Sequence, residues 1–251
     1  MGIAAQLTSL SFLIRGSMAG LLVLASTASH AAFLQVAPVT VEVAAPGATA
    51  SINLRNDGEH PLDAQIRVFR WTQIDGKEIL VPSDDVVASP PAVTLQPKED
   101  YVVRVVRTTK RPVSGEETYR LLIDELPEPA HRASAAVNIV LRYSIPVFFS
   151  TADDTDPKLT WTVQQSGGRS FVVATNSGDR RMRIAGLKVQ LGKGETASFG
   201  DGLVGYVLGR STMRWAIPRA IPKLKTGAAV QISALSDLGP ISAQGSIQVS
   251  H

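Results

Sequence analysis

Cysteine is absent from all 251 residues. That excludes disulfides, thiol catalysis and cysteine-ligated zinc. Histidine is scarce: His30, His60, His131 and His251 are the full set. No two stand at a metal-ligand spacing such as His-x-x-x-His, which argues against a zinc hydrolase. No long basic run occurs, and Lys plus Arg number 25 against 22 Asp plus Glu. A dedicated nucleic-acid binder is therefore not expected. No Gly-x-Ser-x-Gly elbow is present, and Leu191-Gly192-Lys193-Gly194 lacks the P-loop spacing. What is there is globular: 44% apolar and 19% charged residues, in a length that fits one or two domains of about 100–200 residues.

The N-terminus reads as an export signal. Met18 to Ala25 is an uncharged apolar run, with Arg15 and no acidic residue before it. Ser29-His30-Ala31 places small residues for a cut after Ala31. The run falls short of the roughly 20 apolar residues that span a bilayer. Residues 1–31 are thus expected to be a signal peptide, and the mature chain to be exported without membrane insertion.

The remainder alternates apolar and polar residues between turn signals, and no segment sustains a helical period. Ala64–Trp71, Tyr101–Arg107, Tyr119–Leu126 and a long run ending at Phe149 read as strands, with Asp75-Gly76 as a hairpin turn. About seven strands in the first half suggest an immunoglobulin-like sandwich. Thr151 to Pro157 (TADDTDP) reads as a linker, and a long hairpin loop is its other reading. Its Asp153, Asp154 and Asp156 lack the glycine and distal glutamate of a calcium loop. Strands resume from Leu159. The expected division is 32–150, linker 151–157 and 158–251. Asn56-Asp57-Gly58 and Asn176-Ser177-Gly178 occupy like positions in the two halves, each after a strand and before another. Two sandwiches in tandem follow from this, although convergent turn chemistry would give the same signal. Trp71, Trp161 and Trp215 are expected as core or edge aromatics, the alternative being a sugar platform.

The most informative stretch is Glu117 to Phe149. Its second strand is expected to start near Ala136 and to be long, with Val137, Ile139, Leu141 and Tyr143 on one face and Asn138, Val140, Arg142 and Ser144 on the other. That apolar row either packs in its own core or forms an exposed edge for a partner. Such edges are normally suppressed because they aggregate.

ETYRLLIDELP at 117–127, followed by a strand with a basic residue and then YSIPVF, resembles the periplasmic pilus chaperones of the chaperone–usher pathway, most closely the archaic or alternative branch. LQVAPVTVEV at 34–43, VFRW at 68–71 and Gly205-Tyr206-Val207-Leu208 add to the resemblance. It implies an all-β fold of two immunoglobulin-like sandwiches set at an angle. It also implies a periplasmic chaperone without catalytic activity, cofactor or metal, whose partners are pilus subunits with an incomplete immunoglobulin-like fold and an outer-membrane usher. In such chaperones an edge strand of the first sandwich completes the subunit's fold. Val137, Ile139 and Leu141 are then the donor residues, with Ala133 and Ala135 extending the row. Arg142 matches the basic residue that holds the subunit's C-terminal carboxylate in the cleft between domains. Thr40 falls where the family usually has a second cleft arginine: either Arg142 acts with another arginine, such as Arg104 or Arg107, or the anchor is weaker, a variant chaperone with an unusual subunit being the further alternative. The rival readings are a two-domain pilus tip subunit or adhesin, and a secreted carbohydrate-binding module.

Overall fold

The computed structural model describes residues 34–127, 140–166, 168–191, 195–218 and 225–249. The signal-peptide reading of 1–31 lies outside them. Residues 33–251 form one compact unit, and its described elements are all strands.

The first half folds into two facing sheets. One has the order β1 (Leu34–Ala37), β3 (Thr49–Asn56), β8 (Asp100–Arg107), β6 (Val86–Ser89). The other runs β2 (Val41–Ala44), β10 (Arg142–Ser150), β9 (Glu117–Glu125), β4 (Leu62–Ile74), β5 (Lys77–Pro82), with β7 (Ala92–Leu95) also on β4. Alternation drives the burial: in β1 and β2 every second side chain is buried. Central β9 differs, with seven of its nine residues buried, because both of its faces are covered. Leu34, Ile52, Leu54, Val103, Leu121 and Phe149 are fully buried between the sheets.

The second half is a continuous sheet that encloses its own core around Val163, Val172, Ile184, Leu187 and Ile232. Its order is β14 (Glu195–Ser198), β13 (Met182–Leu191), β17 (Ala229–Ser236), β18 (Gly239–Val249), β11 (Leu159–Ser166), β12 (Arg169–Asn176), β16 (Thr212–Ala216). The last element, β15 (Leu203–Val207), pairs with β13. The ladders of β1–β10 stay within the first half and those of β11–β18 within the second.

Two expectations change. The long strand was expected from Ala136, but β10 begins at Arg142, and 128–139 lie outside the described residues. The apolar row keeps its parity: Tyr143, Ile145, Val147 and Phe149 turn into the core. The stretch from Thr151 to Pro157 does connect the halves and carries no strand, yet it is more than a solvated linker. Asp154 is buried, and its carboxylate accepts from the Thr151 amide at 2.7 Å and hydroxyl at 3.0 Å. Asp156 is packed against Gly178, where an added Cβ would meet its carbonyl oxygen at 2.0 Å.

Asn56 and Asn176 are structurally equivalent. Each is almost fully buried and donates to a carbonyl four residues on, His60 at 2.8 Å and Arg180 at 2.7 Å. Each also accepts from the glycine amide two residues on, Gly58 at 2.8 Å and Gly178 at 3.0 Å. A common fold in both halves accounts for this matched pattern.

Candidate functional site

Strand β10 is bordered by β9 along its whole length, from Arg142 opposite Asp124 to Phe149 opposite Glu117. On its other side, β2 pairs only with Val147–Ser150. Among the described residues no strand borders Arg142–Pro146 on that side, so their outward backbone groups form an open ladder. Unpaired ladder groups are a template for another strand. Leu141 extends the pairing by one residue: its carbonyl accepts from the Glu125 amide at 3.0 Å, and its side chain is half-buried. Val137 and Ile139, with Ala133 and Ala135, lie outside the described residues.

Arg142 opens β10. Its guanidinium donates to Asp124, whose other carboxylate oxygen accepts from Arg67 at 2.6 Å. Burial alone would raise the Asp124 pKa, but hydrogen bonds from Arg142 and Arg67 outweigh it and hold the carboxyl below its usual range. The three residues line a cavity of about 320 Å³ together with Leu126, Val140 and Leu141.

The junction between the sandwiches is elsewhere on the same sheet. Trp71, Phe148, Tyr206 and Leu208 form a buried cluster there, with Trp71 and Tyr206 edge to face at 5.6 Å. The Gln73 amide bridges the halves, donating to the Tyr206 carbonyl at 2.8 Å and accepting from the Leu208 amide at 3.0 Å. Arg181 lies 3.6 Å over the Phe148 ring and pairs with Glu116 and Glu42. Burial pushes the Glu116 carboxyl above its usual range despite that partner. At the first sandwich's hairpin tip, Asp75 and Gly76 take the positive φ that this turn requires. The Gly76 carbonyl reaches the Arg214 amide at 3.4 Å.

This geometry corrects the expected place of Arg142. It shares a sheet face with Phe148 but stands six residues away, roughly 20 Å at about 3.3 Å per residue. It is therefore not between the sandwiches, and its charge is already met by Asp124. Nor do the other cations join it. Arg104 is exposed on β8, in the opposite sheet. Arg107 is half-buried and held by Glu117 through two bonds of 2.8 and 2.9 Å. That pair outweighs the burial of Glu117 and keeps its carboxyl below the usual range.

Sequence reasoning missed Arg120. The register sets it opposite Pro146 on β10, and Val41 opposite Val147 puts Thr40 beside the same proline. Arg120 and Pro146 thus form one row across the sheet, and Thr40 stands just before β2 at the end of that row. The Arg120 guanidinium stacks 3.7 Å over Trp71 and lies 5.7 Å from the Tyr206 ring. Its side chain is 13% exposed, and its nearest carboxylate, Glu78, is 3.6 Å away, too long for a hydrogen bond. Burial lowers its pKa. A signal existed in the segment TYRLLIDEL, where Arg120 is the lone cation among apolar residues.

Of the tryptophans, Trp71 and Trp161 are buried and Trp215 is partly buried against the second core. They do not form a sugar platform. No group of acidic or histidine residues among the described ones could hold a metal.

Residues 33–152 match the family of pili and flagellar-assembly chaperones through its PapD N-terminal domain. Similar solved structures carry the likeness across both sandwiches. A chain of the CsuC–CsuE chaperone–tip adhesion subunit pre-assembly complex, from archaic chaperone-usher Csu pili of Acinetobacter baumannii, is 25% identical with a TM-score of 0.67. The match covers 88% of this chain and all of that one. The Salmonella enterica SafA pilin–SafB chaperone complex gives 19% identity, 84% and 95% coverage and a TM-score of 0.57. The E. coli chaperone DraB gives 18%, 86% and 97%, and 0.54. No curated protein matches. The fold and these likenesses define the class: two immunoglobulin-like sandwiches in tandem. Within that class residues 33–152 match the N-terminal domain of the pilus chaperones, the chain as a whole is similar to their solved structures, and the chaperone reading is favoured over the tip-subunit and sugar-binding ones.

Proposed function

We propose that this chain is a periplasmic, non-catalytic chaperone that captures pilus subunits on the open edge of β10 and passes them to an outer-membrane usher. The carrying observation is that open edge: Arg142–Pro146 offer unpaired backbone groups, and the apolar row of β10 continues in sequence through Leu141, Ile139 and Val137. A subunit that lacks a strand would gain main-chain bonds from the edge and side chains for its groove. Nothing in that exchange needs a reacting group. Cleavage after Ala31 would leave a mature chain with sandwiches at 32–150 and 158–251, joined by 151–157.

The subunit's terminal carboxylate is assigned to Arg120 in preference to Arg142. Arg120 lies at the junction, with Glu78 at 3.6 Å as its ion-pair partner, whereas Arg142 donates to Asp124 away from the junction. A planar guanidinium can bond both carboxylate oxygens. Removing one partner of such a pair costs about 2–5 kcal/mol, a loss of roughly 30-fold to several thousand-fold in affinity.

The test is capture of a tagged subunit, taken from a fimbrial operon encoding this chaperone, in periplasm containing each variant. Arg120→Ala should abolish capture and Arg120→Lys should retain part of it, with melting temperatures measured alongside. Arg142→Ala should fall within a few-fold of the parent. The opposite ranking would return the anchor to Arg142. No capture by the parent chain of any subunit from that operon would overturn the chaperone reading itself.

A further inference from the structure

The two sandwiches carry opposite charge. Residues 34–157 hold twelve Lys and Arg against eighteen Asp and Glu. Residues 158–251 hold twelve against four, namely Asp179, Glu195, Asp201 and Asp237. The halves are thus at −6 and +8, a separation hidden by the whole-chain value of +3. Such asymmetry orients a molecule in an external field and points to an anionic partner for the basic half.

The excess in the second sandwich is not neutralised internally. Among the described residues, Arg181, Lys188 and Arg210 pair with carboxylates. Lys158, Arg169, Arg183, Arg214 and Lys225 have no carboxylate within ion-pair reach there. Arg169 and Lys225, both exposed, share one end of the sandwich. Arg169 pairs with Ser166 at the β11–β12 turn. Lys225 precedes Gly227, whose amide donates to Ile247, and Ile247 is the register partner of Val163 on β11. That end is the one away from Asn176 and the connection to the first sandwich, seven residues back along β12, roughly 23 Å at about 3.3 Å per residue.

The surface chemistry at this end decides what kind of partner fits. A protein interface has an apolar centre inside a polar rim. Among the described residues of the second sandwich, the strongly exposed large apolar side chains are Leu203, Leu235 and Leu238. Leu203 and Leu235 flank Ala185, toward the opposite end of β17 from Ala229. The Arg169–Lys225 end instead presents exposed cations, and the start of β17 near that end lines a cavity with Gln190, Ala229, Val230, Gln231 and Gln244. Dispersed cations without a pocket or fork suit a diffuse charged plane better than one phosphate or one peptide.

We propose that the Arg169–Lys225 end of the second sandwich docks peripherally on anionic phospholipid bilayers, through headgroup phosphates. The acidic first sandwich would then point away from the lipid, leaving the β10 edge free. The inference stands on charge and topology and does not depend on subunit capture.

Co-sedimentation of the mature chain with phosphatidylcholine vesicles, with and without about one-third phosphatidylglycerol, tests it. Binding is expected only with the anionic lipid at about 0.05 M salt and should vanish at about 0.5 M. Arg169→Glu with Lys225→Glu should reduce the bound fraction at least tenfold. Lys98→Glu, in the first sandwich, should not reduce it. If the double variant melts below the parent, Arg169→Gln with Lys225→Gln replaces it, with a smaller loss expected. Subunit capture by these variants should match the parent. Equal binding to both vesicle types, undiminished binding by the variants, or a salt-sensitive self-associated species that accounts for the sedimentation would each overturn the proposal.

Discussion

Asn56 and Asn176 show how a single side chain organises a sandwich. Each amide sits where water cannot reach and closes a turn by bonding backbone groups on both sides. Asn56 also donates to the Leu95 carbonyl at 3.1 Å, and Asn176 to those of Val207 and Leu208 at 3.3 and 3.2 Å. The amide stands in for a missing strand neighbour, so alanine would leave several buried backbone groups unpaired. Each orphaned group costs about 1–3 kcal/mol. Asn56→Ala and Asn176→Ala should therefore each lower stability by at least about 2 kcal/mol. Asparagine-to-aspartate changes should do no better, because a carboxylate cannot donate to carbonyls. Denaturant melts of the variants against the parent check this. A loss within experimental error at both positions would mean that water replaces the amide. The Asn-x-Gly spelling in the sequence disclosed the turns. It could not disclose the carbonyls that each amide reaches from other strands.

At the scale of elements, β10 has two regimes. Its C-terminal half lies between β9 and β2, while its N-terminal half has one neighbour and an open side among the described residues. Alternation from Tyr143 to Phe149 was legible because one face meets the core. The strand's start is not settled by the alternation, which continues in the sequence through Leu141, Ile139 and Val137, while the described part of β10 opens at Arg142. The short strands β6, β7, β14 and β16 were missed for a related reason: four or five residues carry too few alternations to stand out. Arg142 was misplaced because the sequence gives a residue's face but not its distance from a junction fixed by register. Charge placed in the two regimes should act differently. Ile145→Asp should unfold the first sandwich, since Ile145 is buried in its core. Ile139→Asp should leave the melting temperature near the parent's and abolish subunit capture. Thermal melts and periplasmic co-purification separate the outcomes. If Ile139→Asp captures as well as the parent, the donor row does not extend to that residue.

At the scale of the molecule, the junction is what makes two sandwiches one unit. It combines three kinds of contact: the aromatic cluster of Trp71, Phe148 and Tyr206, the two-way Gln73 amide, and Arg181 held by Phe148, Glu116 and Glu42. The aromatic cluster supplies burial but little direction, since apolar contacts tolerate sliding. Gln73 and Arg181 supply direction, because hydrogen bonds weaken steeply with misalignment. Relative domain motion is the default unless an interface is large and apolar, so the polar contacts are assigned the task of fixing the angle. A fixed angle matters to the proposed function, because Arg120 must meet a carboxylate lodged between the sandwiches while β10 pairs with the same client. The parent chain should unfold in one calorimetric transition. Gln73→Ala with Arg181→Ala should split it in two, with each sandwich melting on its own core. Capture should weaken at the same time although no contacting residue has changed. A single undivided transition in the double variant would show that the aromatic cluster alone couples the halves. Trp71→Ala, with an expected loss of about 3–5 kcal/mol, would then be the substitution that divides them.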